Sequence, residues 1–478
     1  MNTQKPREIS VRILGQRRAG GEFTENLLDR ALGLARLSPA DRGLCQEMVY
    51  GIVRWQVALD WLIARKTAGR EQKASMQNLL RLGLYQTFWL DRIPPHAAVH
   101  ETVELAKQLG FGAQAGFVNA VLRGCLREFD ETKNILAELK ISDPATGYSH
   151  PQWLVEKWQK RFGGEKTRQL LEWNNTPPKT FARVNTLKTD AGKLVEKWRE
   201  ENVEYDFVRR DWLEENLVFE LKSHPLLNSL GSFRDGWFYV QDPGTLLAPL
   251  QLGAQPGETI LDLCAAPGGK TTFLAQRMNN EGKITACDNS EKRLKLIREN
   301  CERLGIACVE THLAPSRSPR PGPLPTGEKV SPSTQQQKGG SGQKGSRIAK
   351  DGTKAVPSPW REGQGDGKTF DRILIDVPCS NTGVMRRRVD LRWRISLEEI
   401  SRLRRTQLEL LKIAAAKLKP GGVLIYSTCS LEPEENSDVV KEFLAEHSNF
   451  KLTSERELLP FADGVDGAYV AKLECLPE

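Results

Sequence analysis

Along the chain the period of the apolar positions changes, and each change marks a different architecture. Met76, Leu79, Leu80, Leu84 and Phe88 recur every three or four residues, the spacing of one helix face. Pro94-Pro95 should end that helix, because the rings remove donors and crowd the preceding turn. A second helical set runs through Ala98, Val99, Val103, Leu105, Ala106 and Leu109, and a third from Ala115 to Leu126. With no period-two alternation in this part, residues 1–135 read as an all-α domain. Residues 136–245 mix the two periods. Trp153 to Trp173 predicts a helix, Phe181 to Thr186 a strand, Leu194 to Glu201 a helix and Trp237 to Val240 a strand, together a small α+β connector.

From residue 246 to the end, strands and helices alternate. The predicted strands are Thr259–Cys264, Ile284–Asp288, Ala307–His312, Arg372–Asp376 and Val423–Ser427. The predicted helices include Glu291–Leu304 and a long one, Leu397–Leu418, closed by Pro420-Gly421-Gly422. Repeated β-α-β units imply a parallel sheet covered on both faces, a Rossmann-like α/β domain. Such sheets bind ligands beyond the carboxyl ends of their strands.

Residues 315–368 break this pattern, with ten Gly and eight Pro and few apolar residues. The stretch buries too little surface to offset ordering entropy and is expected to be a disordered insertion. It also changes the meaning of the net charge. Lys+Arg total 69 and Asp+Glu 61, a surplus of +8 that suits a polyanionic partner. The insertion holds ten basic and four acidic residues, and residues 1–130 hold 18 basic and 13 acidic, so the rest is slightly acidic. A passive tether is the favoured reading of the insertion, which leaves the helical domain as the basic one.

Composition removes other classes. Hydrophobic residues at 39% and charged residues at 27% suit a globular chain, and no run of apolar residues is long enough to span a membrane. The start lacks an apolar signal core. The nine cysteines are scattered, without a C-x-x-C pair or nearby histidine clusters, so neither a metal site nor a disulfide framework is expected. Reduced thiols in a cytoplasmic, monomeric protein are the default expectation.

Three motifs carry chemistry. In the first, the strand ending at Leu263 runs into Cys264-Ala265-Ala266-Pro267-Gly268-Gly269-Lys270, a turn that opens a helix. It is not a P-loop, since Cys264 stands where the first Gly is needed. Asp288 follows twenty residues after Gly268, at the end of the next predicted strand, where an acid suits ribose hydroxyls. Together these point to an adenosine-type cofactor. The second motif, Asp376-Val377-Pro378-Cys379, and the third, Thr428-Cys429-Ser430, end two further strands. Two cysteines and an aspartate at that edge suggest nucleophilic chemistry.

These motifs resemble those of the Sun family of RNA (cytosine-5)-methyltransferases. Arg183-Val184-Asn185-Thr186-Leu187-Lys188 and Gln241-Asp242-Pro243-Gly244 are similar to the family's upstream segments. Ile93 to Glu101 and Gly116 to Arg123 resemble the NusB-like domain of its bacterial Sun/Fmu (RsmB) branch. The resemblance implies a NusB-like RNA-binding domain, a connector and a methyltransferase domain using S-adenosylmethionine on 16S ribosomal RNA. It implies Cys429 as the thiolate that attacks cytosine C6, Cys379 as the residue assisting product release, and Asp376 as the group on the base edge. It places residues 264–270 on the methionine and ribose, Asp288 on the ribose hydroxyls, and Asp376 against the cofactor as well as the base. Arg386, Arg387, Arg388, Arg392 and Arg394, clustered with Trp393 after the Cys379 loop, are expected to contact the RNA backbone.

One departure stands out. The family usually carries an acid after the third strand, and here Pro315 opens the insertion at that place. Asp366, in Gly365-Asp366-Gly367, could substitute. The insertion is expected to weaken cofactor binding, and the alternative it raises is a catalytically impaired RNA-binding or ribosome-assembly protein. A DNA methyltransferase is disfavoured, because the Thr-Cys motif would then have no role.

Overall fold

A computed structural model describes residues 5–19, 21–314 and 370–477. The insertion and Asp366 lie outside the described residues.

The first part is helical, as the periodicity predicts. Eight helices run from Pro6–Ala19 to Phe129–Ser142, and the last of them crosses the boundary expected at residue 135. The Met76 stripe lies on helix Ala74–Trp89, with Met76, Leu79, Leu80 and Leu84 buried against Leu59, Leu62, Val118 and Leu122. That helix stops at Trp89, ahead of the prolines, and Pro95 opens the next helix, where its missing N–H is not needed.

The connector departs from prediction in two ways: the helix expected over Trp153 to Trp173 is broken, and two strands, Glu204–Phe207 and Val218–Ser223, were not predicted. Trp153 to Trp173 is two helices, Gln152–Phe162 and Gly164–Asn175, because Gly163 turns to φ +78, ψ 167. That region is essentially restricted to glycine. Gly163→Ala should therefore lower stability by about 1–3 kcal/mol in urea unfolding. Four antiparallel strands complete the connector: β1 (Thr180–Val184), β2 (Glu204–Phe207), β3 (Val218–Ser223) and β4 (Phe238–Val240), in the order β2-β3-β1-β4. Trp198 fills their core, ringed edge-on by Phe219 and Phe238.

The last part holds a seven-stranded sheet of order β10-β11-β9-β8-β5-β6-β7. Its strands are β5 (Thr259–Leu263), β6 (Lys283–Asp288), β7 (Val309–Leu313), β8 (Phe370–Asp376), β9 (Leu418–Thr428), β10 (Phe450–Leu458) and β11 (Ala468–Cys475). The five predicted strands pair in parallel, and both faces are covered. Ile260, Leu274, Ile284, Leu374 and Ile425 fill one core, while Leu261, Ile373, Ile375, Leu411 and Tyr426 fill another.

Two features correct the prediction. The edge is an antiparallel hairpin, β10 with β11, so the sheet is mixed. The long helix ends at Ala415, and Pro420-Gly421-Gly422 lies inside β9. Gly422 is needed there because a Cβ would meet the Leu418 side chain at 2.8 Å and the Asp371 carbonyl at 2.9 Å. From β5 the chain moves first to β6 and β7 on one side, then to β8 and β9 on the other. The carboxyl ends of β5 and β8 therefore flank a switch point, where a crevice opens.

Candidate active site

The crevice holds a cavity of about 570 Å³, within the range of small-molecule sites. Its wall at β5 is Cys264, Ala266 and Pro267, its wall at β6 is Asp288 and Asn289, and its wall at β8 runs from Asp376 to Cys379. Cys429, just past β9, closes the far end.

The Gly turn acts mainly through its backbone. Gly268 takes φ +100, and a Cβ there would press on Ile297 at 3.3 Å. A Cβ on Gly269 would press on Gln241 and Tyr239 of the connector. Ala265, Gly268 and Gly269 thus stand behind the cavity wall rather than in it, and the two glycines allow close packing. Arg183 of the upstream motif explains part of that packing. It is buried, donates to the Gly269 carbonyl at 2.9 Å and to Thr272 at 3.1 Å, and stacks against Phe273. Asn185 donates to the carbonyls of Gly236 and Leu304, so the connector and the catalytic sheet share buried bonds.

Asp288 ends β6 and is buried at the cavity edge. One oxygen accepts from the Ser290 N–H at 3.1 Å, and the other lies 3.2 Å from the Arg293 guanidinium. Burial raises its pKa, with Arg293 opposing. Lys270 leaves the turn for the other end of the site and donates to Asp376 at 2.5 Å. Ser427 donates to the second Asp376 oxygen at 2.9 Å. Burial disfavours the Lys270 ammonium, but Asp376 outweighs it, and the Cys429 sulfur acts in the same direction, so its pKa is raised. Beneath them Asp262 is fully buried, its pKa pushed up to about 7 by burial and by the Asp376 and Asp288 carboxylates, with the Thr271 hydroxyl opposing.

The two sulfurs are in contact. Cys379 Sγ lies 3.3 Å from Cys429 Sγ, and Cys429 Sγ lies 2.9 Å from the Asn381 side-chain oxygen. Asn381 also donates to the Cys379 carbonyl, a bend that its φ of +58 permits. Their surroundings differ. Cys379 is buried, and its pKa is raised by the hydrogen bond with Cys429, by burial and by the nearby Glu435 carboxylate. Cys429 is partly open to the cavity and faces Lys270.

The arginine run does not form the expected RNA-facing surface. Arg386 is buried between Asp466, Asp242 and the Trp173 ring, and Arg387 pairs with the same two acids. Arg392 is wholly buried, and Arg394 donates to the carbonyls of Gly21 and Glu22 while covering Phe23. Val389 and Trp393 enter the core of the helical domain. Only Arg388 of the five is exposed, and it lines the cavity. In sequence a basic run and an interdomain anchor look alike, since what separates them is a set of carbonyl acceptors from distant segments.

Sequence reasoning missed Arg293, Asn381 and Glu435. Asn381, two residues past Cys379, had a local signal. Glu435 had none, because Glu434-Glu435 reads as a solvated acidic pair.

A Rossmann-like sheet with a cavity at its switch point and paired cysteines at two adjacent strand ends defines a methyltransferase domain of the Sun type. The model of the 16S rRNA methyltransferase RsmB/F family matches residues 249–320 and 346–474. The NusB family matches residues 4–127, and the RsmF/B-like ferredoxin-like domain matches 150–220. The chain is similar to the probable ribosomal RNA small subunit methyltransferase B of Bacillus subtilis, 31% identical over 99% of each chain. It is 34% identical to ribosomal RNA small subunit methyltransferase B of Escherichia coli O1:K1, over 92% of this chain and 91% of the other. In fold it is similar to the crystal structure of PH0851, with a TM-score of 0.71, 24% identity, and coverage of 98% of this chain and 100% of the other. The chain belongs to the RsmB/F methyltransferase family, in the branch that carries a NusB domain.

Proposed function

We propose that this protein methylates C5 of a cytosine in small-subunit ribosomal RNA, with S-adenosylmethionine as donor. The observation that carries this reading is the single cavity that reaches from Asp288 to the Cys379–Cys429 pair. The residues present fit the donor. An acid stands at the end of the second parallel strand, beside a backbone turn, and the remaining cavity leads to the cysteines. S-adenosylmethionine, when bound, supplies an electrophilic methyl group.

The chain supplies the rest. Cytosine C5 is a weak nucleophile, and addition of the Cys429 thiolate to C6 makes it enamine-like. Lys270 and Cys429 line the same pocket, so an ammonium stands on the side of the attacking sulfur. Asp376, held by Lys270 and Ser427, meets the N3 and amino edge of the base. Loss of the C5 proton to solvent and β-elimination then free Cys429, and Cys379, in contact with Cys429, assists that release. The target base must leave its stack to enter. The NusB domain, with its basic surplus, holds the surrounding RNA.

The direct test is transfer of labelled methyl to unmodified small-subunit RNA, followed by bisulfite sequencing. A single protected cytosine is expected, and RNA binding without methyl transfer would overturn the reading. Asp288→Ala should weaken S-adenosylmethionine binding by calorimetry about tenfold to a hundredfold, the scale of losing a charged hydrogen bond.

A further inference from the structure

The wall behind the two cysteines contains a carboxylate that the proposed mechanism does not use. Glu435 is completely buried, on the short turn Pro433–Glu435 that follows the Cys429 loop. One of its oxygens accepts from the Ser380 backbone N–H at 2.8 Å and from Gln407 Nε2 at 3.0 Å. The other accepts from the hydroxyls of Ser380 and Ser430. Ser380 follows Cys379, and Ser430 follows Cys429. The Glu435 carbonyl itself accepts from the Tyr426 hydroxyl at 2.6 Å. Among the described residues, every group that touches the carboxylate is a neutral donor and no cation pairs with it. Neutral donors in such number are an arrangement for keeping a buried carboxylate ionised without cancelling its charge. Burial acts the other way and raises its pKa.

We propose that Glu435 is a positioning residue that locks the Cys379 loop to the Cys429 loop and places its carboxylate behind Cys379, so that Cys429 is the sulfur left to attack. The charged and titratable groups around the pair are unevenly placed. Cys379 faces Glu435 and the Tyr426 hydroxyl, both on the protein side. Cys429 faces Lys270, which Asp376 holds in place. Arg388 and Lys417 line the outer wall of the cavity that both sulfurs share. A carboxylate therefore stands behind one sulfur and an ammonium on the side of the other, although the two are 3.3 Å apart. The lock matters for the same reason. With the Ser380 and Ser430 hydroxyls on one oxygen, neither loop can shift its sulfur without breaking a buried bond.

This inference rests on the assignment of Cys429 as the nucleophile, and the experiment separates the two. Iodoacetamide labelling of the full chain, read by peptide mass spectrometry across pH 6–10, gives the alkylation rate of each cysteine. In the unmodified protein Cys429, the more open of the two, should be alkylated faster than Cys379 at neutral pH. Glu435→Gln keeps the shape and most of the hydrogen bonds but removes the charge. It should raise the Cys379 rate at neutral pH at least about tenfold, one unit of pKa, and leave Cys429 within about twofold. It should also shift the pH profile of kcat, which a merely structural change would not. If Cys379 reacts first in the unmodified protein, the assignment of the nucleophile fails. If Cys429 reacts first and Glu435→Gln leaves the ratio unchanged, the role of Glu435 alone fails. Glu435→Asp covers the case in which the Gln variant does not fold. It keeps the charge but not the reach, so Cys379 stays slow while kcat falls about tenfold, and an Asp variant with full turnover overturns the lock.

Discussion

Cys429→Ala is expected to lower kcat for methyl transfer about 10⁴-fold or more, while Cys379→Ala leaves RNA covalently attached. The first effect has the size seen when a covalent nucleophile is removed, about 5 kcal/mol of barrier. Binding and orientation survive, but C5 is no longer activated. The second effect follows from geometry. The sulfurs are in contact, so a group at Cys379 lies within reach of an adduct on Cys429. Without it the adduct forms and is released slowly. The measurement is a denaturing gel of the variant with labelled RNA and S-adenosylmethionine, beside a turnover assay. A retarded protein–RNA band is expected for Cys379→Ala and none for Cys429→Ala. A band from Cys429→Ala, with none from Cys379→Ala, would exchange the two roles. The structure offers a reason to expect the stated order: Cys379 is buried beside a carboxylate, and Cys429 opens to the cavity beside an ammonium.

Much of this site was legible in the sequence because it sits at strand ends. A run such as Ile373-Leu374-Ile375-Asp376 fixes both a buried strand and the edge where its last residue emerges. Three such ends, followed by Cys264, Cys379 and Cys429, fix which residues share the crevice once the strands are parallel. Less legible was anything decided by partners far apart in the chain. The hairpin β10–β11 escaped because Phe450-Lys451-Leu452-Thr453-Ser454 carries too few apolar residues to stand out, and its pairing with β9 is tertiary. The connector's hold on the Gly turn depends on Arg183, a charged residue whose burial no local pattern announces. Glu435 is the same case inside the active site.

The arginine run gives the sharpest instance, and Arg392→Ala tests it. The change is expected to lower the stability of the whole chain by about 3–5 kcal/mol in urea unfolding. Arg392 donates to the carbonyls of Arg54, Ser149 and Asn174 and to the Asn175 side chain, all at 2.8–3.2 Å. Arg54 belongs to the helical domain, Ser149, Asn174 and Asn175 to the connector, and Arg392 itself to the methyltransferase domain. Removing the guanidinium strands three buried carbonyls and the part-buried Asn175 oxygen, each buried one costing about 1–3 kcal/mol where water cannot replace the donor. It also opens a cavity the size of a long side chain. Relaxation and water entry recover part of that, which brings the sum down to the stated range. Arg388→Ala is the control. Its side chain is exposed, so it should change stability by no more than about 0.5 kcal/mol. If all five arginines served RNA alone, both variants would be equally stable and would differ only in RNA affinity and its salt dependence. If Arg392 joins the domains, its loss shows with no RNA present. The Cys379 loop and the anchor lie on one stretch of chain, with Asp390 between them receiving Arg17 at 2.6 Å. Loosening the helical domain should therefore also lower turnover at temperatures where the variant is still folded, because the segment that seats that domain is the one that leaves the catalytic loop.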